Sequence, residues 1–170
     1  MKLKSTNIYL RNLISSDASI VFDWENNPAN WEISNTEKLF TREEIEEFVN
    51  QPQDINLNQQ LRFMICKNDT NLSIGCIDLF DYKIGKSVGV GILIADKKWR
   101  NKGYATEALK LLFNYCRNEL KIDSIFCHIF KKNTISIRLF ESCGFKFIDE
   151  RLLDGNKVNY YELKYKLLSS

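Results

Sequence analysis

The chain of 170 residues is 44% hydrophobic and 27% charged, and its formal net charge is +2. This composition is ordinary for a soluble globular protein. The small net charge excludes a nucleic-acid binder that relies on one large basic face. No apolar run reaches the roughly 18 residues of a membrane span, and the first ten residues lack the apolar core of a signal peptide. We expect a single domain over residues 1–170, with neither nucleic acid nor a membrane as a partner.

The cysteines and the single histidine argue against a metal site. Five cysteines are widely spaced without a CxxC pair, and His128 is the only histidine, so neither zinc nor an iron–sulfur cluster is predicted. Every cysteine lies in or beside an apolar run, which predicts buried, reduced thiols and a cytoplasmic location. These cysteines are Cys66, Cys76, Cys116, Cys127 and Cys143.

The first fifty residues predict one strand and two helices. Residues 7–14 alternate with period 2, which is typical of a strand. Ser and Asp residues then start a helix that we expect to end near Asn26, because Pro28 follows shortly after. A second helix is predicted over 41–50, where Thr41 caps the start and two glutamates favour the positive end.

The rest of the chain alternates between strand and helix patterns. Strands are predicted over 61–68, 72–80, 87–95 and 124–130. Apolar steps of 3 and 4 from Ala105 to Leu120 predict the clearest helix in the chain. A further helix is predicted over 133–145, with Gly144 just past its end. Two strands around the turn 154–156 close the chain.

These elements define an α/β fold with a mixed sheet. Their order is β-α-α-β-β-β-α-β-α-β-β, with about four helices beside the sheet. The strand–helix–strand crossing from 87 to 130 requires one parallel pair. The remaining strands form an antiparallel meander, so the sheet is mostly antiparallel.

The stretch "KKWRNKGYATEAL" (97–109) allows two interpretations, a plain turn or a cradle for phosphates. The first amides of a helix lack intrahelical partners, Gly103 lets a ligand approach the backbone, and Arg100 and Lys102 add cationic donors. A Walker A loop is excluded, because Tyr104 follows the glycine. The "GVG" at 89–91 is not a dinucleotide fingerprint, because Ile94 occupies the third glycine position.

Two blocks of the sequence carry a resemblance to a known family. "WRNKGYATEAL" resembles the coenzyme A pyrophosphate loop of the GNAT superfamily of N-acetyltransferases, with Arg100, Gly103 and Ala105 at its defining positions. "NTISIRLFESCGF" (133–145) resembles the superfamily's later helix. The separation of the blocks and the order of the elements also match. The resemblance implies a single GNAT domain over nearly the whole chain, in which the parallel strands splay apart.

The resemblance also implies acetyl-CoA as cosubstrate and assigns residues to it. The splayed strand would pair with the pantetheine arm and polarise the thioester carbonyl, and the loop amides would hold the pyrophosphate. Asn133 would bond the cofactor arm, although it could equally be a simple helix cap. The residues implied are Ile92, Leu93, Ile94, Arg100, Asn101, Lys102, Gly103, Tyr104, Ala105, Thr106, Asn133 and Phe140.

The chain departs from the family at both proton-transfer positions. Many members carry a tyrosine acid where this chain has Phe140, which could instead be a core residue. Water, Cys143, Tyr160 or Tyr161 could then protonate the departing thiolate. Relatives often carry a glutamate base where this chain has Gly89. Asp78, Asp81 and Glu25 are possible replacements or solvated surface carboxylates, and we expect His128 to be a satisfied core residue.

The acceptor is less well defined than the cofactor. "DWENNP" (23–28) resembles a segment of a subgroup that includes spermidine, ribosomal-protein N-terminal and nucleotide-sugar amine acetyltransferases. In that subgroup the segment lines the acceptor pocket, which implies Trp24, Glu25, Asn26 and Trp31 as lining residues here. Alternatively, a tryptophan only holds two helices against the sheet.

We expect transfer of acetyl to the primary amine of a small molecule, by direct attack in a ternary complex. The alternatives are a protein N-terminal acetyltransferase and a CoA-binding module with little catalysis. The resemblance also implies a possible homodimer.

Overall fold

Eight strands form one mixed sheet in the order β1-β2-β3-β4-β5-β6-β8-β7. The computed structural model describes residues 1–34 and 38–165. Within these described residues only β5 and β6 run parallel to each other, and every other neighbouring pair is antiparallel. The strands are β1 (Lys2–Lys4), β2 (Ile8–Asn12), β3 (Leu61–Lys67), β4 (Ser73–Lys83), β5 (Ser87–Ile94), β6 (Ser124–Phe130), β7 (Lys146–Leu153) and β8 (Asn156–Lys164).

Helices cover both faces of this sheet. On one face Val21, Ile45 and Val49 of two early helices pack against the sheet. On the other face Leu109 and Phe140 of two later helices enter the larger core. The described α-helices are α1 (Ala18–Glu25), α2 (Pro28–Ser34), α3 (Arg42–Asn50), α4 (Ile55–Asn58), α5 (Tyr104–Tyr115) and α6 (Thr134–Ser142).

The parallel pair separates after three residues on each strand. Ser87–Gly89 pair with Ser124–Phe126, and the register stops there. On its other side β5 stays paired with β4 up to Ile94. The rest of β5 therefore presents a free backbone edge to the gap, which confirms the splayed pair.

The predicted fold is confirmed, and the additional elements are short. The sequence missed β1, α2 and α4. The first helix ends near Asn26 as predicted, and Pro28 then begins α2, where its missing N–H costs nothing. Thr41 caps α3 as predicted: its Oγ1 accepts from the Glu44 amide, and its own backbone amide donates to the Glu44 carboxylate. Gly144 has the expected left-handed φ of 96°.

The cysteines differ from the expectation at one position. All five are free thiols, and four are buried, but Cys143 is only half-buried at the end of α6. Within residues 1–34 and 38–165, no helix is both long and apolar enough to cross a membrane.

Candidate active site

The loop between β5 and α5 has a backbone that suits an anion. Asn101 and Gly103 both adopt left-handed conformations, with φ of 60° and 84°. Glu107 donates the first helical bond, to the Gly103 carbonyl at 3.1 Å. Among the described residues, no backbone carbonyl accepts from the amides of residues 101–106. A Cβ built on Gly103 would meet no atom within 4 Å, so the loop faces open space and can cradle a phosphate group.

The Arg100 side chain holds this loop in place. Its Nε donates to the Ile94 carbonyl at 2.9 Å, and its Nη2 contacts the Ala95 carbonyl at 3.4 Å and Asn30 Oδ1 at 3.3 Å. Burial lowers the pKa of Arg100. Its guanidinium is thus directed at the strand end and at buried Asn30 of α2, which positions the loop amides.

A groove of about 480 Å³, the anion groove, runs from this loop along α6. It contains most of the residues predicted to bind CoA, whereas Leu93 and Phe140 line a neighbouring cavity and Lys102 lines neither. The sequence did not indicate Arg138, which brings a cation to the wall opposite the loop. The lining residues are Ile92, Ile94, Trp99, Arg100, Asn101, Gly103, Tyr104, Ala105, Thr106, Asn133, Ile135, Ser136, Arg138, Leu139 and Ser142.

A second space of about 350 Å³, the acidic cavity, opens at the splay. It contains three carboxylates and one guanidinium, a net charge of −2 with His128 counted as neutral. It meets the anion groove at Ile92, Asn133 and Ser136, which line both. Its lining residues are Glu25, Arg62, Cys76, Asp78, Phe80, Asp81, Val90, Gly91, Ile92, Leu93, Cys127, His128, Ile129, Asn133, Ser136, Phe140 and Leu153.

Asn133 has the capping role that the sequence allowed, and its contact with the cofactor arm stays a prediction. It is the N-cap of α6, and its Oδ1 accepts from the Ser136 amide at 3.2 Å. It also lies where the anion groove and the acidic cavity meet. Capping therefore fixes the side chain at the junction, with its NH2 group left as a donor.

Two of the predicted base candidates are held by Arg62. Arg62 donates to both oxygens of Asp78, at 2.6 and 2.8 Å, and to Glu25 Oε1 at 2.7 Å. Burial opposes the charge on Arg62, but Asp78 and Glu25 raise its pKa above the ordinary value. The cluster keeps a net negative charge in the cavity, and its carboxylates are oriented by the guanidinium.

His128 lies in the acidic cavity, although the sequence analysis expected a core residue. Its ring packs against both Phe126 and Tyr160, with centroids 5.6 and 5.4 Å away, and those two rings stack on each other. Burial lowers the pKa of His128, the charge of Arg151 lowers it further, and Asp81 opposes both. The imidazole is therefore neutral at pH 7, the form that can accept a proton.

The residues considered as proton donors to the thiolate lie apart from the cavity. Phe140, at the position of the family's tyrosine acid, does line it. Phe140 is buried, lines the acidic cavity and packs edge-on against Phe145 at 5.1 Å. Burial raises the pKa of the Cys143 thiol, which lines neither space. Tyr160 and Tyr161 line neither space, and Tyr161 packs against Phe147.

The predicted acceptor residues are placed on and around α1. Glu25 lines the acidic cavity, but Trp24, Asn26 and Trp31 do not. Asn26 exchanges hydrogen bonds with the Phe40 backbone, and Trp31 Nε1 donates to the Glu25 carbonyl at 2.9 Å. These contacts fix the end of α1, and contact of Trp24, Asn26 and Trp31 with an acceptor stays a prediction.

Sequence reasoning missed several residues of the acidic cavity, of which Arg62 and Gly91 are the clearest. Arg62, Asp78 and Gly91 lie side by side across three strands. A Cβ on Gly91 would meet nothing within 4 Å, so the absent side chain contributes open space. Strand alternation could have placed Gly91 on the same face as Gly89, but the register that aligns it with Arg62 is visible only in the structure.

Together these features define a class of enzyme. A split strand pair and a helix start with unpaired amides suit the pyrophosphate and the extended arm of a coenzyme A thioester. The adjoining acidic cavity suits an ammonium ion, which becomes a nucleophilic amine once it loses a proton. This arrangement is that of a CoA-dependent acyltransferase acting on an amine.

Comparison with known proteins identifies the family. Residues 7–146 match the family described as "Acetyltransferase (GNAT) domain". The chain belongs to this family and is an acetyl-CoA-dependent N-acetyltransferase, which confirms the resemblance found in the sequence.

Individual relatives resemble the chain over nearly its full length. A spermidine N(1)-acetyltransferase from Vibrio cholerae is 26% identical, over 95% of this chain and 96% of its own. The crystal structure of a spermidine N-acetyltransferase from Vibrio cholerae, in complex with CoA and spermine, superposes with a TM-score of 0.81 at 22% identity, covering 92% and 95% of the two chains. A GNAT acetyltransferase from Bacillus anthracis has the same TM-score and identity, covering 96% and 98%.

Proposed function

We propose that the enzyme transfers acetyl from acetyl-CoA to a primary amine of a small cationic molecule, with polyamines as the leading class. The observation that carries the proposal is the acidic cavity with a net charge of −2 where it meets the anion groove. An ammonium ion is attracted to such a cavity, because two excess carboxylates lie in a partly desolvated space. The similarity to a spermidine N(1)-acetyltransferase supports the same class.

The residues around the anion groove would bind and orient the cosubstrate. The amides of residues 101–106 would hold the pyrophosphate, with Arg138 facing them across the groove. The free edge of β5, from Val90 to Ile94, would pair with the extended pantetheine arm. Asn133 would donate to that arm where the groove meets the acidic cavity, and so direct the acyl end toward the amine.

The reaction requires that a proton leave the amine. An alkylammonium has an ordinary pKa of about 10.4, so a nearby group must accept a proton before the nitrogen can attack. Glu25 and Asp78 already accept hydrogen bonds from Arg62, so we assign proton acceptance to the side of the cavity with His128 and Asp81. Glu25 and Asp78 then serve to attract and position the ammonium.

The thioester side has no side-chain acid at the family position. Phe140 presents a ring where a tyrosine hydroxyl would otherwise lie. Bound acetyl-CoA supplies the acyl group and a thiolate leaving group, whose ordinary pKa near 8.5 lets it depart without a strong acid. We propose that water protonates the thiolate, and that Phe140 packs against the acyl end.

The walls around the cavity favour a small acceptor over a protein terminus. Its walls come from α1, α6 and five strands, β3 to β7, whereas a peptide chain requires an open groove.

The test measures release of CoA thiol with polyamines, amino sugars and N-terminal peptides, alongside binding of acetyl-CoA. We expect turnover with polyamines. Turnover only with peptides would overturn the acceptor class, and acetyl-CoA binding without turnover on any amine would overturn the proposal.

We also propose that the enzyme is a cytoplasmic homodimer. Free thiols suit a reducing compartment. The outer strand β7 leaves Phe147, Ile148 and Leu152 exposed, with exposed fractions of 53%, 47% and 72%, and a second copy could cover them. Sedimentation equilibrium tests the dimer: a purely monomeric enzyme at micromolar concentration would contradict it.

A further inference from the structure

A third space lies behind the acidic cavity. It has a volume of about 140 Å³ and is lined on the α3 side by Phe48, Pro52 and Asn58. Arg62, Asp78 and Phe80 line both this rear space and the acidic cavity. The Arg62–Asp78 pair is therefore the partition between the two.

The partition is firmly anchored. Arg62 on β3 lies directly opposite Asp78 on β4, and its side chain is only 12% exposed. A third bond to Glu25 ties the guanidinium to α1, and the Phe48 ring lies 5.1 Å from the guanidinium carbon. Three hydrogen bonds from one planar group fix its plane as well as its position.

We propose that Arg62 is the end wall of the acceptor site and determines the longest amine that the enzyme accepts. This inference rests on the proposed function. An acceptor whose amine reaches the acyl group extends its other end toward the Arg62–Asp78–Glu25 cluster. A chain that fits places its distal ammonium near the carboxylates. A longer chain must displace the guanidinium and leave two partly buried carboxylates unpaired, which is costly.

The dependence of activity on the chain length of the acceptor distinguishes an end wall from an ion pair with only a structural role. The probes are straight-chain α,ω-diamines of increasing length, with kcat/KM measured at saturating acetyl-CoA. For the native enzyme we expect kcat/KM to fall steeply once the diamine exceeds a certain chain length. In Arg62→Met the rear space joins the acidic cavity, so the chain length at which kcat/KM drops should increase. The ratio of kcat/KM for a long over a short diamine rises by about tenfold, the discrimination typical of one or two methylenes.

A matched control is Arg11→Met. Arg11 also makes a two-pronged pair, with Asp17 at 2.8 and 2.9 Å, but it lines neither the acidic cavity nor the rear space. We expect it to leave the length ratio unchanged while lowering stability. Acetyl-CoA affinity should stay constant in both variants.

The outcomes distinguish this inference from the proposed function. A folded Arg62→Met enzyme that loses activity equally on all diamines overturns the wall and leaves the acceptor class intact. A native enzyme that binds acetyl-CoA but accepts no diamine overturns both. If Arg62→Met does not fold, Arg62→Lys takes its place, because it keeps the charge but cannot hold both carboxylates. It should shift the length limit in the same direction, and an unchanged limit overturns the inference.

Discussion

The ring of Phe80 lies over Gly89, its direct neighbour across the β4–β5 pair. A Cβ on Gly89 would lie 2.3 Å from Phe80 Cε2, and the same ring packs edge-on against Phe126 at 5.7 Å. No side chain can occupy position 89 unless Phe80 moves. The glutamate that relatives often carry there is thus replaced by an aromatic ring, and the proton must leave by another route.

His128→Gln tests that route. The pKa of His128 is lowered below its ordinary 6.5, chiefly by burial. The neutral form is the proton acceptor, so activity is retained above this pKa and lost as the pH falls through it. For the native enzyme we expect kcat/KM for the amine, at saturating acetyl-CoA, to fall at a pH below 6.5. The variant should lose about 10²-fold or more in kcat. It should also lose the acidic limb, the fall in activity at low pH.

The control for that experiment is Tyr160→Phe. Tyr160 packs against the His128 ring but lines neither the acidic cavity nor the anion groove, so its hydroxyl can be removed with the acidic limb unchanged. An acidic limb that persists in His128→Gln at the same pH would assign the titration to another group.

Gly91→Val should impair acceptor binding specifically. The added side chain meets no protein atom within 4 Å of its Cβ, so the strand can accept it, but it fills space beside Asp78. We expect KM for the amine to rise by about tenfold, which corresponds to about 1.4 kcal/mol of lost binding, with acetyl-CoA affinity unchanged. Gly89→Val is the contrasting variant, because its clash with Phe80 should lower the melting temperature. An unaltered KM for Gly91→Val would mean that the amine binds elsewhere.

Gly103→Val should weaken acetyl-CoA binding through the loop amides. Losing two hydrogen bonds to a charged pyrophosphate costs about 3 kcal/mol or more, a factor of about 100 in Kd. Gly85→Val is a matched control, because Gly85 also has a left-handed φ, of 67°, and open space around its Cβ. We expect the two variants to be destabilised to a similar degree. Calorimetric titration should show weaker acetyl-CoA binding for Gly103→Val only. Equal affinities would exclude the loop from pyrophosphate binding.

Phe140→Tyr should keep or raise kcat. Phe140 lines the acidic cavity, so an added hydroxyl can face the departing thiolate. Phe145→Tyr is the control, since the same change at a buried position away from the cavity leaves a polar group in the core, at a cost of about 1–3 kcal/mol in unfolding free energy. A large fall in kcat for Phe140→Tyr with acetyl-CoA affinity intact would show that the hydroxyl does not face the thiol.

Local signals allowed most of the fold to be predicted from sequence. Thr41 with Glu44 and the periodicity after Gly103 act within a few residues, so they can be recognised without knowing the tertiary structure. Pro28 correctly indicated the end of α1, but α2 was missed because a proline that follows one helix can also begin the next. The Arg62–Asp78 pairing depends on strand register, and the placement of His128 in the cavity depends on where β5 and β6 part. Neither relationship can be inferred from neighbouring residues.

The junction at Ile92, Asn133 and Ser136 joins two separate spaces, so it imposes no order on the binding of the two substrates. The anion groove lies along α5 and α6, whereas the acidic cavity also reaches Glu25 of α1 and Arg62 of β3, so we expect the two substrates to arrive through separate entrances. Neither blocks the path of the other, and steady-state inhibition by each product should resemble that of a sequential scheme without a compulsory first substrate. A covalent conjugate of CoA and a polyamine would occupy both entrances at once, provided that its linker passes beside Ile92.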